Sequence, residues 1–209
     1  MALPGLNWLP GIQRWQAHNP AIRVEWSCHA LQADNGSWVM VDPIGSPADL
    51  GWKDAEGPRV AAVVATNGNH ERAAVEWAHE GRVRLWAASG SGLDSPTWRP
   101  LPHGPGWQDD WMVEDLTGGG PGEVALRIPR LDLMVFGDAV VNLAGRGLEL
   151  LPDRYCTDPA HLRKAILRLV QTPFARAVFA HGDPIEEGAS RRIGALLRCA
   201  AAAWSGLRP

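Results

Sequence analysis

The sequence predicts a mixed α/β chain, α+β in layout, in which two sheets pack face to face and helices cover the outside. Three observations carry that expectation. The run Arg59 to Thr66 is nearly all apolar, as a strand covered on both faces should be. Asp34-Asn35-Gly36-Ser37 lies between the apolar runs Ile22 to Cys28 and Trp38 to Asp42, and Asn-Gly in that setting is a strong hairpin signal. Trp111 to Leu116, Glu123 to Ile128 and Leu131 to Phe136 are separated only by short breaks rich in Gly or Pro, which is the spacing of a meander. Hairpin-like neighbours are antiparallel, so the order strands, helix, strands, helix, strand, helix suits a two-sheet sandwich better than a doubly wound parallel sheet.

Composition bounds the function. The chain has 209 residues, 45% hydrophobic and 21% charged, with a net charge of −3. These are globular values and read as a single domain over residues 1–209. Without a broad basic field, neither nucleic acid nor an anionic membrane is an expected partner. The apolar runs are too short or too interrupted for a bilayer crossing, and the N-terminus lacks the basic start and apolar core of a secretory signal. A cytoplasmic location is expected. Cys28, Cys156 and Cys199 are scattered, with no Cys-x-x-Cys spacing, so neither a disulfide framework nor a thiolate metal site is indicated. Eleven Trp against one Tyr and three Phe have no fixed period, which points to packing rather than a repeat.

Taken in order, residues 1–21 read as an irregular lead-in with at most one short strand. After the first hairpin, Asp42-Pro43 closes a strand, and Arg59 to Thr66 forms the next. Asn69 to His79 has near-helical spacing at Ala74, Val75 and Ala78, and Gly81 ends it. Val83 to Ala87 is a strand, followed by a connection of some thirty residues loaded with Gly, Ser, Pro and Trp. Beyond the meander, Asp158-Pro159 combines an N-cap with Pro in the first turn and opens a helix through Leu162, Ala165, Ile166 and Leu169. Arg176 to Ala180 is a strand delivering His181, and an amphipathic helix covers about 188 to 204.

Polar groups just past the carboxyl ends of strands are where open α/β folds put their sites. Here those groups are Thr66-Asn67-Gly68-Asn69-His70-Glu71-Arg72, Asp138 and His181. Gly118 to Gly122 is no phosphate cradle, because no Lys-Ser/Thr follows and the next segment is a strand. No Gly-x-Ser-x-Gly elbow is present. His29, His103 and His161 stand in no ligand spacing, and His161 reads as a first-turn helix surface residue.

Five segments in sequence resemble motifs of the metallo-β-lactamase superfamily: Val41-Asp42-Pro43, Thr66 to Arg72, Gly119-Gly120-Pro121-Gly122-Glu123-Val124-Ala125-Leu126, Phe136-Gly137-Asp138-Ala139 and Phe179-Ala180-His181-Gly182. They span about residues 22 to 185. The resemblance implies an αββα four-layer sandwich and a site where active members hold two metal ions. In the superfamily a Thr is followed by His-x-His-x-Asp-His; here the four ligand positions read Asn67, Asn69, Glu71 and Arg72. The first ion's site would fall on Asn67, Asn69 and Gly119, a set of poor ligands. The second keeps Glu71 and His181, with Asp138 in the bridging place and Arg72 where the third ligand should be. His70 occupies the motif's variable position and is expected to point away.

An inward guanidinium about 4 Å from a dication would repel it by roughly 8 kcal/mol at an effective dielectric of about 20. The resemblance therefore implies that no cofactor is expected, with Arg72 pairing with Asp138 or Glu71 in place of a metal. The leading expectation is a degraded, non-catalytic or altered site whose cleft binds a small molecule through Asn67, Asn69 and Arg72. The alternative is a hydrolase of an ester, thioester or phosphoester, with one Zn, Mn or Fe ion on Glu71, Asp138 and His181 as the catalytic set. A third class is an interaction module using the Trp-rich loops.

Overall fold

The computed structural model describes residues 5–21, 23–52, 59–81, 83–93, 95–108 and 110–205. The first sheet comprises β1 (Leu6–Leu9), β2 (Ile12–Asn19), β3 (Val24–Gln32), β4 (Trp38–Val41), β5 (Val60–Ala65), β6 (Arg84–Ala87) and β7 (Trp98–Pro100), hydrogen-bonded in that order. Its neighbours are antiparallel up to β4 and parallel from there on. Next come β8 (Gly104–Pro105), β9 (Met112–Asp115), β10 (Val124–Ile128), β11 (Leu133–Phe136), a separate hairpin of β12 (Val140–Leu143) and β13 (Gly147–Leu150), and β14 (Arg176–Phe179). The second sheet has the order β14-β11-β10-β9-β8. The helices are α1 (Ala74–Gly81), α2 (Pro159–Leu169) and α3 (Ala189–Ser205).

Side chains of a strand alternate between faces, and that alternation builds the four layers. Val39, Val41, Val64, Val124, Leu126 and Ile128 share the core between the sheets. Their neighbours Met40, Val63 and Ala65 turn outward to join Ala74 and Trp77 of α1. On the second sheet Ala125, Met134 and Phe136 turn outward to join Leu162 and Ile166 of α2 and Ile193 of α3. The chain therefore has the expected αββα arrangement. Indoles fill both sides of the first sheet: Trp52 meets Trp15, Trp38 and Trp77 edge to face, and Trp107 meets Trp86 and Trp111 in the same manner.

Local signals act as read. Asn35 accepts from both the backbone N–H and the hydroxyl of Ser37, and Gly36 takes a φ of 78° in the β3–β4 turn. Asp158 caps α2 by accepting from His161 N–H at 2.9 Å. Three expectations need correction. Residues 6–19 form the hairpin β1–β2 rather than an irregular lead-in, because β2 pairs along its length with β3. The hairpin β12–β13 was not anticipated at all. The helix read from Asn69 is broken: a 3₁₀ turn covers Gly68–His70, Arg72 takes a φ of 41°, and only then does α1 begin.

Candidate functional site

Strand ends converge at one edge of the sandwich. β4 and β5 are parallel, so Asp42 and Thr66 emerge together, and Asp42 N–H donates to Val64 O at 2.9 Å. β11 and β14 are also parallel, with Phe136 opposite Phe179. Counting two residues onward from that pair brings Asp138 beside His181. The Ser27 N–H donates to Ala180 O at 2.8 Å, which ties β3 to the turn after β14 and sets Glu25 O against His181. Gly182 follows with a φ of 92°, and a Cβ there would lie 1.9 Å from Asn142 O. Glycine is obligatory at that crossing.

The carboxylate of Asp42 is buried and fully engaged. Its Oδ1 accepts from Thr66 N–H at 2.8 Å, and its Oδ2 accepts from the Thr66 hydroxyl at 2.7 Å and from His70 Nδ1 at 2.9 Å. An ionised carboxylate only accepts, so His70 carries a proton on Nδ1 and turns Nε2 the other way. That Nε2 lies 3.2 Å from Asp138 Oδ1. His181 is arranged alike: Nδ1 donates to Glu25 O at 3.0 Å, and Nε2 lies 3.1 Å from the same Asp138 oxygen. One coordinating atom from each of His70, Asp138 and His181 falls within 4.8 Å of the others.

Asp138 is held from its other side too. Its Oδ2 accepts from Asn67 Nδ2 at 3.1 Å, and the same nitrogen donates to Glu123 Oε2 at 2.8 Å. Glu123 Oε1 accepts from the backbone N–H groups of Asp138 and Ala139 at 2.8 and 2.9 Å.

The electrostatics follow from burial opposed by neighbours. Burial works to lower His70, but Asp42 and Asp138 outweigh it and push the imidazole up to about 9. Burial works to raise Asp42, yet the charge and hydrogen bond of His70, with help from Arg72 and Thr66, hold it below the usual carboxylate range. Asp138 is likewise held well below that range, with His70 and His181 overcoming burial. Glu123 goes the other way, raised by burial and then by the charge of Asp138.

The residues singled out in the sequence are distributed unevenly over this geometry. Asp138 and His181 stand together. Glu71 lies outside the convergence, and His70, expected to face away, takes its place. The physical reason is local: residues 68–70 form a 3₁₀ turn where an α-helix is expected, and Asp42 holds His70 by Nδ1 so that its Nε2 meets Asp138. Arg72 pairs with neither Asp138 nor Glu71: its Nη1 donates to Ser27 O at 3.0 Å and Asp42 O at 3.2 Å, and its guanidinium lies 5.0 Å over the Trp26 ring. Asn67 is buried and presents amide hydrogens inward, while its Oδ1 accepts from Asn69 N–H at 2.8 Å. Asn69 itself is exposed. Sequence reasoning missed His70, Glu123 and the grip of Asp42 on His70. Only Asp42-Pro43, at the end of a strand parallel to the next, hinted at the last of these.

Two clefts are relevant. One of about 320 Å³ has Glu25, Gly182 and Asp183 in its wall, between the β2–β3 connection at Arg23 and the β12–β13 turn at Ala144, and none of His70, Asp138 and His181 lines it. A larger one of about 560 Å³ between α2 and α3, lined by Val170, Phe174 and Arg191, is remote from these groups.

The donor set can be tested against the superfamily's two ions. Asn67 directs N–H groups inward and Gly119 has no side chain, so the first ion does not fit. Two imidazole nitrogens and a carboxylate oxygen, each imidazole fixed by an acceptor behind it, do fit a single transition ion.

This architecture is the metallo-β-lactamase fold. A metallo-β-lactamase from Pontibacter korlensis matches with a TM-score of 0.74 at 16% identity, over 94% of this chain and 99% of that one. A β-lactamase domain protein from Burkholderia ambifaria matches with a TM-score of 0.69 at 20% identity, over 95% of this chain and 73% of that one. TTHA1623, solved in a di-iron-bound form, matches with a TM-score of 0.66 at 20% identity, over 85% of this chain and 97% of that one. No protein-family model and no curated protein matches the chain. Among the described residues, no helix is long and apolar enough to cross a membrane.

Proposed function

We propose that the chain is a hydrolase of the metallo-β-lactamase type that uses one transition ion, Zn, Mn or Fe, on His70, Asp138 and His181. The observation that carries this reading is the convergence of His70 Nε2 and His181 Nε2 on Asp138 Oδ1, with both Nδ1 atoms committed elsewhere. When bound, such an ion polarises a substrate carbonyl or phosphoryl oxygen and lowers the pKa of water to about 7. The protein's own part is orientation. Asp42 and Glu25 O set the imidazole tautomers, and Asn67 sets the carboxylate rotamer. Arg72, tied to the carbonyls of Ser27 and Asp42 and lying over the Trp26 ring, is turned away from the Asp138 carboxylate. The substrate in this reading is a small ester, thioester or phosphoester, and the cleft walled by Gly182, the chain neighbour of His181, is the nearest candidate to receive it. The unpaired cysteines support a cytoplasmic location.

A second reading rests on a different observation. Without an ion, His70 is a cation clamped between Asp42 and Asp138, so the network closes on itself and the cleft serves binding alone. Elemental analysis after chelator stripping and reloading separates the two. One ion per chain, lost in His70→Ala and kept in Glu71→Ala, together with turnover of model esters abolished by Asp138→Ala, supports the first. No ion and no turnover with any of the three metals leaves the second.

A further inference from the structure

Asn67 occupies an unusual position: its two amide hydrogens point at two different carboxyl groups, Glu123 and Asp138, and Glu123 is buried. Two acids facing one point ordinarily call for a cation between them or for one of them to hold its proton. The packing around Glu123 adds an independent observation. A Cβ built on Gly119 would lie 2.9 Å from Glu123 Cγ, and one on Gly120 would lie 3.2 Å from Glu123 Oε2. The Glu123 side chain thus fills the space into which side chains at 119 and 120 would project.

We infer that the Asn67 amide, anchored on Glu123, stands in for a cation between Glu123 and Asp138, making Asn67 and Glu123 positioning residues that hold Asp138 toward His70 and His181. An amide bearing two donors satisfies both acids while bringing no net charge. Position 67 is then the switch between a site closed by hydrogen bonds and a site that needs a second ion. Asn67→Asp keeps the shape and the Oδ1 cap on Asn69 N–H, but replaces two donors with a charged acceptor facing two other acids. That variant creates a three-carboxylate pocket of the kind hard divalent cations occupy.

The inference rests on the one-ion reading only for the number of ions in the native chain. The test is equilibrium loading of the chelator-stripped full chain with Mn(II), followed by counting bound ions. If the native chain takes n ions, Asn67→Asp takes n + 1, and adding Glu123→Gln to that variant returns the count to n. Native n of zero defeats the one-ion reading, and the gain in Asn67→Asp still decides the inference. A native chain that holds two ions, or an Asn67→Asp chain with an unchanged count, overturns it. Should circular dichroism show Asn67→Asp unfolded, Asn67→Ser carries the same comparison, because it removes the bridging amide hydrogens without adding charge. An unchanged count there also overturns the inference.

Discussion

The two sides of Asp138 use opposite chemistry. On one side, His70 and His181 turn nitrogen atoms toward Oδ1 with their other ring nitrogens already bound, so that an ion displacing the His70 Nε2 proton would meet two imidazole lone pairs there. On the other side, Asn67 and the backbone amides around Glu123 supply hydrogens, and every acceptor there has a donor. One carboxylate can therefore face an ion with one oxygen and a permanent hydrogen-bond network with the other. The comparison teaches that a chain with an altered ligand motif still gathers two imidazoles and a carboxylate on one side of Asp138 and a closed hydrogen-bond network on the other.

Removing the shared carboxylate gives the largest effect. Asp138→Ala is expected to abolish ion binding and, by leaving the Nε2 atoms of His70 and His181 and one of the two bonds of the Asn67 amide without their partner, to cost about 3 kcal/mol or more of stability, measured by chemical denaturation. Glu123→Ala strips the acceptor from the Asp138 and Ala139 N–H groups and is expected to cost about 3 kcal/mol. Glu123→Gln, which keeps an acceptor for those two groups, should cost less than half of that, and equal losses would mean the carboxylate's charge is what counts.

On the ion-facing side, His70→Ala is expected to weaken ion affinity by a hundredfold or more, whereas Glu71→Ala leaves it unchanged. A reversal of that pair would restore the ligand set read from the sequence. The smallest effect lies behind the site. Burial, then the charge of Arg14, lowers buried His29 to about 3 from its ordinary 6.5. A base depressed in the fold is neutral there while the unfolded chain protonates, so its effect on stability is absent above pH 6.5 and grows as pH falls toward 3. At pH 5 the loss is about 2 kcal/mol. His29→Leu should flatten the fall of Tm between pH 6.5 and 5, and an unchanged slope would assign that fall to other groups.

Much of the fold was legible in the sequence because its signals are local. The turn residues Asn35 and Gly36, the cap Asp158 with Pro159, and the period-two patterns of Val124 to Ile128 act within a few residues of themselves. β2 escaped notice because Gln13, Arg14, Gln16 and His18 blur its alternation, and what makes it a strand is pairing with β3. Of the candidate site, Asp138 and His181 were legible because each ends a strand.

Residue order by itself determined the sandwich, its layers and the edge where polar groups gather, since each follows from periodicity and from which strands can be neighbours. Tertiary structure alone decided which of His70 and Glu71 faces Asp138, and that Glu123 fills the space beside Gly119. Those outcomes depend on the 3₁₀ turn at Gly68–His70 and on hydrogen bonds between residues far apart in the chain, such as Asp42 with His70 and Asn67 with Glu123. Neither a three-residue 3₁₀ turn nor a hydrogen bond between distant residues leaves a periodic pattern along the sequence, so neither shows there which neighbouring side chain enters the site.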